Sequence, residues 1–206
     1  MVLRDSPSSD LLVRVPAPTL CLAFANTLMW RGSPEPSESL SDVNALLAWC
    51  ERQAFGAGAL TEIRTWASSH PEPAAAWFAD AISLRETIYR IFESLAADKP
   101  VADKDFVALS EAVAAAPARA QLARQANGYG WRIAAATPSA LLAPVLWSAS
   151  DLLLDAGRRR IRQCANEKCL WLFVDESKSG TRRWCDMTSC GNRAKAQRHY
   201  ARTKRA

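Results

Sequence analysis

Apolar residues recur at Trp77, Ala81, Leu84, Ile88, Ile91 and Leu95, spaced 4, 3, 4, 3, 4, and so draw one stripe along a long helix. Upstream, Ser41 or Asp42 is placed to cap a helix carrying Leu46, Leu47, Trp49 and Cys50. A short helix is expected over 61–68, before Pro71 and Pro73 interrupt the chain, and residues 102–115 continue in helical style. The period then changes. In AQLARQANGYGWRIAA, Asn127-Gly128 and Gly130 sit between two short runs, which predicts a β-hairpin. A last helix is expected over about 139–156, with Leu142, Leu146, Ala149, Leu152 and Leu153 on one side and Pro144 in its first turn or kinking it. Gly157 suits a C-cap. The apolar run TLCLAFANTLMW is short and contains Asn26, so it reads as core and not as a membrane span. Residues 1–157 are therefore expected to form a mainly helical domain with a β-hairpin, and 158–206 a second, smaller unit.

Charge sharpens that division. The net +5 conceals an asymmetry: residues 158–206 carry 14 Lys/Arg against 4 Asp/Glu, whereas 1–157 carry 12 against 17. A basic unit beside an acidic one points to a polyanion as partner, the plain alternative being a solvated surface. At 206 residues the chain can bury a real core without disulfide staples. Its first residues, MVLRDSPSSDLLVRVPAP, lack the apolar run of a secretion signal, so the expected location is the cytoplasm, where thiols stay reduced.

Four of the six cysteines form the pattern C-x4-C-x15-C-x4-C: Cys164, Cys169, Cys185 and Cys190. Close pairs separated by 15 to 20 residues have the spacing of a structural zinc site. Redox chemistry would call for C-x-x-C in a βαβ context, and a catalytic zinc keeps an open position, usually with His or carboxylate ligands. One structural Zn2+ is the expectation. LWLFVD reads as a strand, ESKSG as a turn, TRRWC as a short returning strand, and GNRAKAQRHYARTKR as a helix with Cys190 at its start. That makes a treble-clef-like finger and an α+β protein overall. Arg182, Arg183 and Arg193 stand close enough in sequence to offset the charge of four thiolates.

Cys190-Gly191-Asn192-Arg193, preceded by RRWCDMTSC, resembles the C-terminal CGNR zinc finger of a bacterial family of stress-induced transcription regulators. Phe24-Ala25-Asn26-Thr27 is similar to the F-x-N-T signature of the helical ABATE domain at the N-terminus of that family. The resemblance covers nearly the whole chain, closest over 164–200 and loose between 30 and 157. It implies DNA-binding regulation.

Winding 191–205 as a helix gathers Lys195, Arg198, Arg202 and Arg205 on one face, with His199 at its edge and Ala196, Tyr200 and Thr203 opposite. The first face suits phosphates or a major groove, with Arg198 and Gln197 as candidates for reading a base. Arg158 and Arg159, with Arg160 and Arg162, offer a second strip. Tyr200 is expected to anchor the helix on the hairpin, and Arg193 to serve structure. Trp171 and Trp184 are expected to pack the hairpin against the helix, Cys21 and Cys50 to be core thiols, and His70 to lie on the surface. Asn26 and Arg85 are polar groups among apolar ones; a structural hydrogen bond between segments would account for them, or they line a small-molecule effector pocket. The N-terminal domain would then sense an effector or mediate homodimerisation. No residue set proposes a nucleophile or an acid/base pair, so no enzyme is expected. DNA is the expected partner, RNA and protein the alternatives, and no membrane is implied.

Overall fold

The computed structural model describes residues 11–13, 17–53, 57–125, 128–133 and 137–204. In chain order the elements are β1 (Leu11–Val13), α1 (Leu20–Ala25), β2 (Leu28–Met29), β3 (Ser37–Glu38), α2 (Val43–Arg52), α3 (Ala57–Ser69), α4 (Pro71–Ala96), α5 (Asp103–Ala115), β4 (Gln121–Gln125) and β5 (Gly128–Ile133). They continue with α6 (Pro138–Leu141), α7 (Ala143–Leu154), β6 (Ile161–Gln163), β7 (Leu172–Val174), a π-helical turn Met187–Gly191 and α8 (Asn192–Thr203). The predicted hairpin is β4–β5, in register Gln125↔Gly128, and β1 adds to it as Leu11↔Ile133, giving an antiparallel sheet of order β1-β5-β4. No described helix is long and apolar enough to cross a membrane.

Local chemistry explains most boundaries. Asp42 caps α2 by accepting from the Ala45 N–H. Pro71 and Pro73 do not break the chain; they sit in the first turn of α4, where a missing N–H costs nothing, and the joint with α3 is His70 alone. The helix expected over 139–156 is two helices. Pro144 cannot donate and its ring crowds the preceding turn, so the chain breaks at Leu142 and restarts with Pro144 inside the first turn of α7. From Ala143 to Ala149 every residue of α7 is buried, as expected of a helix apolar all round. It packs on α1, which pattern analysis reads only as core because six residues are too few to show a period. Cys21 and Cys50 are enclosed in this core, and burial pushes both thiols up to about 12.

The C-terminal strands complete the same core. Ile161, Leu172 and Val174 pack with α1 and α4 residues in one apolar cluster. Polar bonds fix the junction. The Asn26 side chain donates to the Leu172 carbonyl at 2.8 Å and accepts from the Leu172 N–H at 3.0 Å, so a side-chain amide pairs with β7 as a neighbouring strand would. Tyr89 on α4 donates to the Leu170 carbonyl at 3.0 Å and accepts from Gln163 of β6 at 2.9 Å.

An ionic cluster around the buried Arg85 ties β3 and the segment after β2 to α4. Arg85, 3% exposed in its side chain, pairs with Glu38 at 2.7 Å and Glu86 at 2.9 Å; Arg31 pairs with Glu86 at 2.6 Å and lies over the Tyr89 ring at 3.8 Å. Burial works against the Glu86 carboxylate, but bonds and charges from Arg31 and Arg85 outweigh it and hold its pKa below 4.5.

Two measurements check these contacts. Asn26→Ala leaves the Leu172 N–H and C=O unpaired and should cost about 2–4 kcal/mol in urea unfolding followed by Trp fluorescence. A depressed carboxyl stabilises fully above its unfolded value and loses that contribution as pH falls through the folded one. Stability should therefore drop below about pH 4.5, and Glu86→Gln should flatten that limb of the pH curve while lowering stability at pH 7.

Candidate metal centre

β6 and β7 form an antiparallel pair, Ile161↔Val174 to Gln163↔Leu172, whose loop is the segment 164–171. Cys164 and Cys169 lie in that loop. The Cys164 N–H donates to the Trp171 carbonyl at 2.8 Å, and the Cys169 N–H to the Asn166 carbonyl at 2.7 Å, which curls the loop so that both sulfurs face one side. The second pair comes from 185–190. Asp186 opens the π-helical turn by accepting from the Thr188 and Ser189 N–H groups, and Cys190 follows at its end. At Gly191 a Cβ would meet the end of the Met187 side chain, which would have to swing aside.

The four Sγ atoms lie within 4.8 Å of one another, and three of the four residues are buried. Cys169 and Cys185 sulfurs are 3.7 Å apart. That is far beyond a disulfide of about 2.05 Å and close to the edge of about 3.8 Å expected for a tetrahedron with Zn–S of about 2.3 Å. All six cysteines are free. Bonds among the thiols lower the pKa of Cys164 and raise those of Cys169 and Cys185. The Asn166 amide donates to the Cys190 sulfur at 3.4 Å, an outer support for the cage. Four sulfurs at this spacing fit one structural zinc ion and would leave it no open position.

The finger is assembled differently from the expected order of strands. TRRWC is no returning strand: β7 pairs backwards with β6, and 181–185 run irregularly. Buried Asp175 is the physical reason. Its carboxylate accepts from Ser177 and from the Arg182 N–H at 3.0 Å, closing 175–182 as a loop. Arg182 then lies 4.4 Å from the Phe173 ring centroid and donates to the Trp184 and Cys185 carbonyls. Trp171 and Trp184 pack around the cysteines themselves.

The basic candidates separate. Lys195 is exposed on α8; Arg198 and Arg202 lie on the same helix face by winding, with their side chains outside the description, and Arg205 lies outside the described residues. Tyr200 is no anchor: it is 70% exposed, because α8 packs chiefly on the π-helical turn before it. Arg158 is exposed, but Arg159 is half-buried and pairs with Asp155 at 2.8 Å and Glu176 at 3.8 Å. Arg162 donates to the Gly180 carbonyl. Arg193 stands over the Trp30 ring, 4.5 Å from its centroid. Asn26 and Arg85, 3% and 2% exposed, direct their polar atoms at protein groups, the first at β7 and the second at Glu38, Glu86 and Thr27. Asn166 and Trp30 escaped sequence reasoning. An Asn two residues after a cysteine is a signal for an Asx turn in a zinc loop, whereas nothing in sequence ties Trp30 to the finger.

Residues 19–156 match the family ABATE, described as "Putative stress-induced transcription regulator", and residues 160–203 match the CGNR zinc finger. The chain belongs to the ABATE family and carries a C-terminal CGNR finger. No curated protein matches it. The two matched segments meet near Gly157, yet share the core through Ile161, Leu172 and Val174. Metal loss should therefore be felt by the whole chain. Elemental analysis should find one zinc per chain, and Cys169→Ser should lower that content. Chelation should lower the midpoint of one common thermal transition by about 10 °C or more, given about 2–4 °C per kcal/mol.

Proposed function

We propose that this ABATE-family chain is a DNA-binding transcription regulator whose α8 lays a cationic face on the phosphate backbone. The observation that carries the proposal is the composition and placement of α8. Between Asn192 and Thr203 it holds Arg193, Lys195, Arg198 and Arg202 and no acid. It also stands clear of the main core, packing chiefly on the π-helical turn. A zinc cage fixes where this helix begins, so its cations are presented on a rigid base. Lys195, Arg198, Arg202 and Arg205 supply the contacts, with Arg158 as an outlying cation. Arg159 is left out, since Asp155 and Glu176 already hold it.

In this role the N-terminal domain braces the finger through Asn26 and Tyr89. Effector sensing through Asn26 and Arg85 has no part in it, because both groups are engaged by protein. No catalysis is assigned. The cytoplasm is the compartment that suits both a reduced thiolate cage and a DNA partner.

Binding to random duplex DNA should weaken linearly on a log–log plot against salt. Arg198→Ala/Arg202→Ala should reduce that slope by about 2 and lower affinity about tenfold or more at low salt, with zinc content unchanged. An affinity that ignores salt, or a double variant binding like the parent, would reject the proposal. Tighter binding to RNA than to duplex DNA would move the assignment to an RNA-binding protein.

A further inference from the structure

A cavity of about 460 Å³ opens where the N-terminal domain meets the finger. Trp30 lines it from the N-terminal side; Asn166, Lys168, Trp184, Cys190 and Arg193 line it from the finger. Its size falls in the range of about 300–1,000 Å³ usual for small-molecule sites. Two indoles and two cations share this space with the acid Glu167. Among the described residues, neither Lys168 nor Arg193 forms an ion pair; the Arg193 guanidinium is stacked on the Trp30 ring instead.

Trp30 is held in an unusual way. Its φ of 55° is in the left-handed region, which a bulky side chain rarely adopts. A tight turn sustains it, the Ser33 N–H donating to the Trp30 carbonyl at 2.8 Å. Gly32 within that turn lies so close to the zinc loop that a Cβ would overlap the Glu167 carbonyl. The strained turn thus sets an aromatic face beside a cavity that the finger alone would leave open on one side. Strain of this kind persists where neighbours over-determine it, and it collects at ligand sites.

We propose that this cavity binds a nucleotide unit. A flat base has the Arg193–Trp30 stack and the Trp184 indole to lie against; guanidinium planes and indoles both stack bases without regard to sequence. A phosphate has Lys168 and Arg193 for charge-assisted bonds. The face of α8 carrying Lys195 lies outside the lining, so the site is separate from the helical contact proposed above. Because its walls come from both parts of the chain, an occupant would bind the N-terminal domain to the finger. The nucleotide is either a free mononucleotide or one unit of an unpaired strand, and the chemistry of recognition is common to both.

The test uses the full-length, zinc-loaded chain and the indole N–H signals of Trp30 and Trp184 in two-dimensional NMR, assigned with Trp30→Phe and Trp184→Phe. AMP is titrated in one series and a single strand of about ten thymidines in another. Both indole signals should move and saturate with at least one probe, and Lys168→Glu should raise that Kd about tenfold or more. Saturation by AMP identifies a free nucleotide; saturation by the strand alone identifies a strand unit. The proposal is overturned if neither probe moves the two signals, or if Lys168→Glu binds like the parent with its zinc and thermal midpoint intact. Arg198→Ala/Arg202→Ala should leave AMP binding unaltered while weakening duplex DNA, so the two sites succeed or fail separately.

Discussion

Four cysteine sulfurs must converge on one point, and much of the C-terminal half follows from that requirement. Two of them lie in the loop of the β6–β7 pair, one just before the π-helical turn and one on it at the start of α8, so the cage fixes the hairpin and the helix relative to each other. The hairpin cannot stop at the cage, because all three residues of β7 are buried. Leu172 and Val174 need an apolar partner larger than a finger of this size can supply, and α1 and α4 provide it. The consequence is a finger built into the core of the protein and not attached by a linker.

That arrangement raises a polar problem, which two side chains resolve. The main chain of β7 presents groups with no further strand beside them, and burying them unpaired would cost about 1–3 kcal/mol each. Asn26 meets both with one amide, whose donor nitrogen and acceptor oxygen sit on the same carbon. Tyr89 serves the Leu170 carbonyl, at a residue that itself has a positive φ of 56°. Nearby, Arg31 and Arg85 are paired with Glu38 and Glu86, so charge is balanced within the cluster. The F-x-N-T segment acquires a physical meaning here. Phe24 fills the core against Trp49, Asn26 clasps β7, and the Thr27 hydroxyl donates to the Phe24 carbonyl.

Sequence and structure agree where the determining interaction is local. Asp42 caps its helix, the stripe from Trp77 to Leu95 lies on one long helix, the runs on either side of Asn127 (itself outside the described residues) pair as a hairpin, and the cysteine spacing yields one cage. Each depends on residues within a turn or two, or on a metal geometry with one common solution. The misreadings share the opposite cause. TRRWC has the composition of a strand, yet Asp175 holds it as a loop from a position seven residues before Arg182. Tyr200 has the character of an anchor, but it is 70% exposed on a helix that packs chiefly on the π-helical turn.

What the sequence by itself determined is the α+β character, the four zinc ligands and a terminal helix rich in cations and free of acid. These follow from spacing and composition alone. Only the tertiary structure decided that Asn26 serves a strand 146 residues away, that the finger shares its core with α1 and α4, and that Trp30 stands against Arg193. The physical reason is that burial and hydrogen-bond pairing are properties of neighbours in space, and neither period nor spacing records which distant residue a buried polar group will meet.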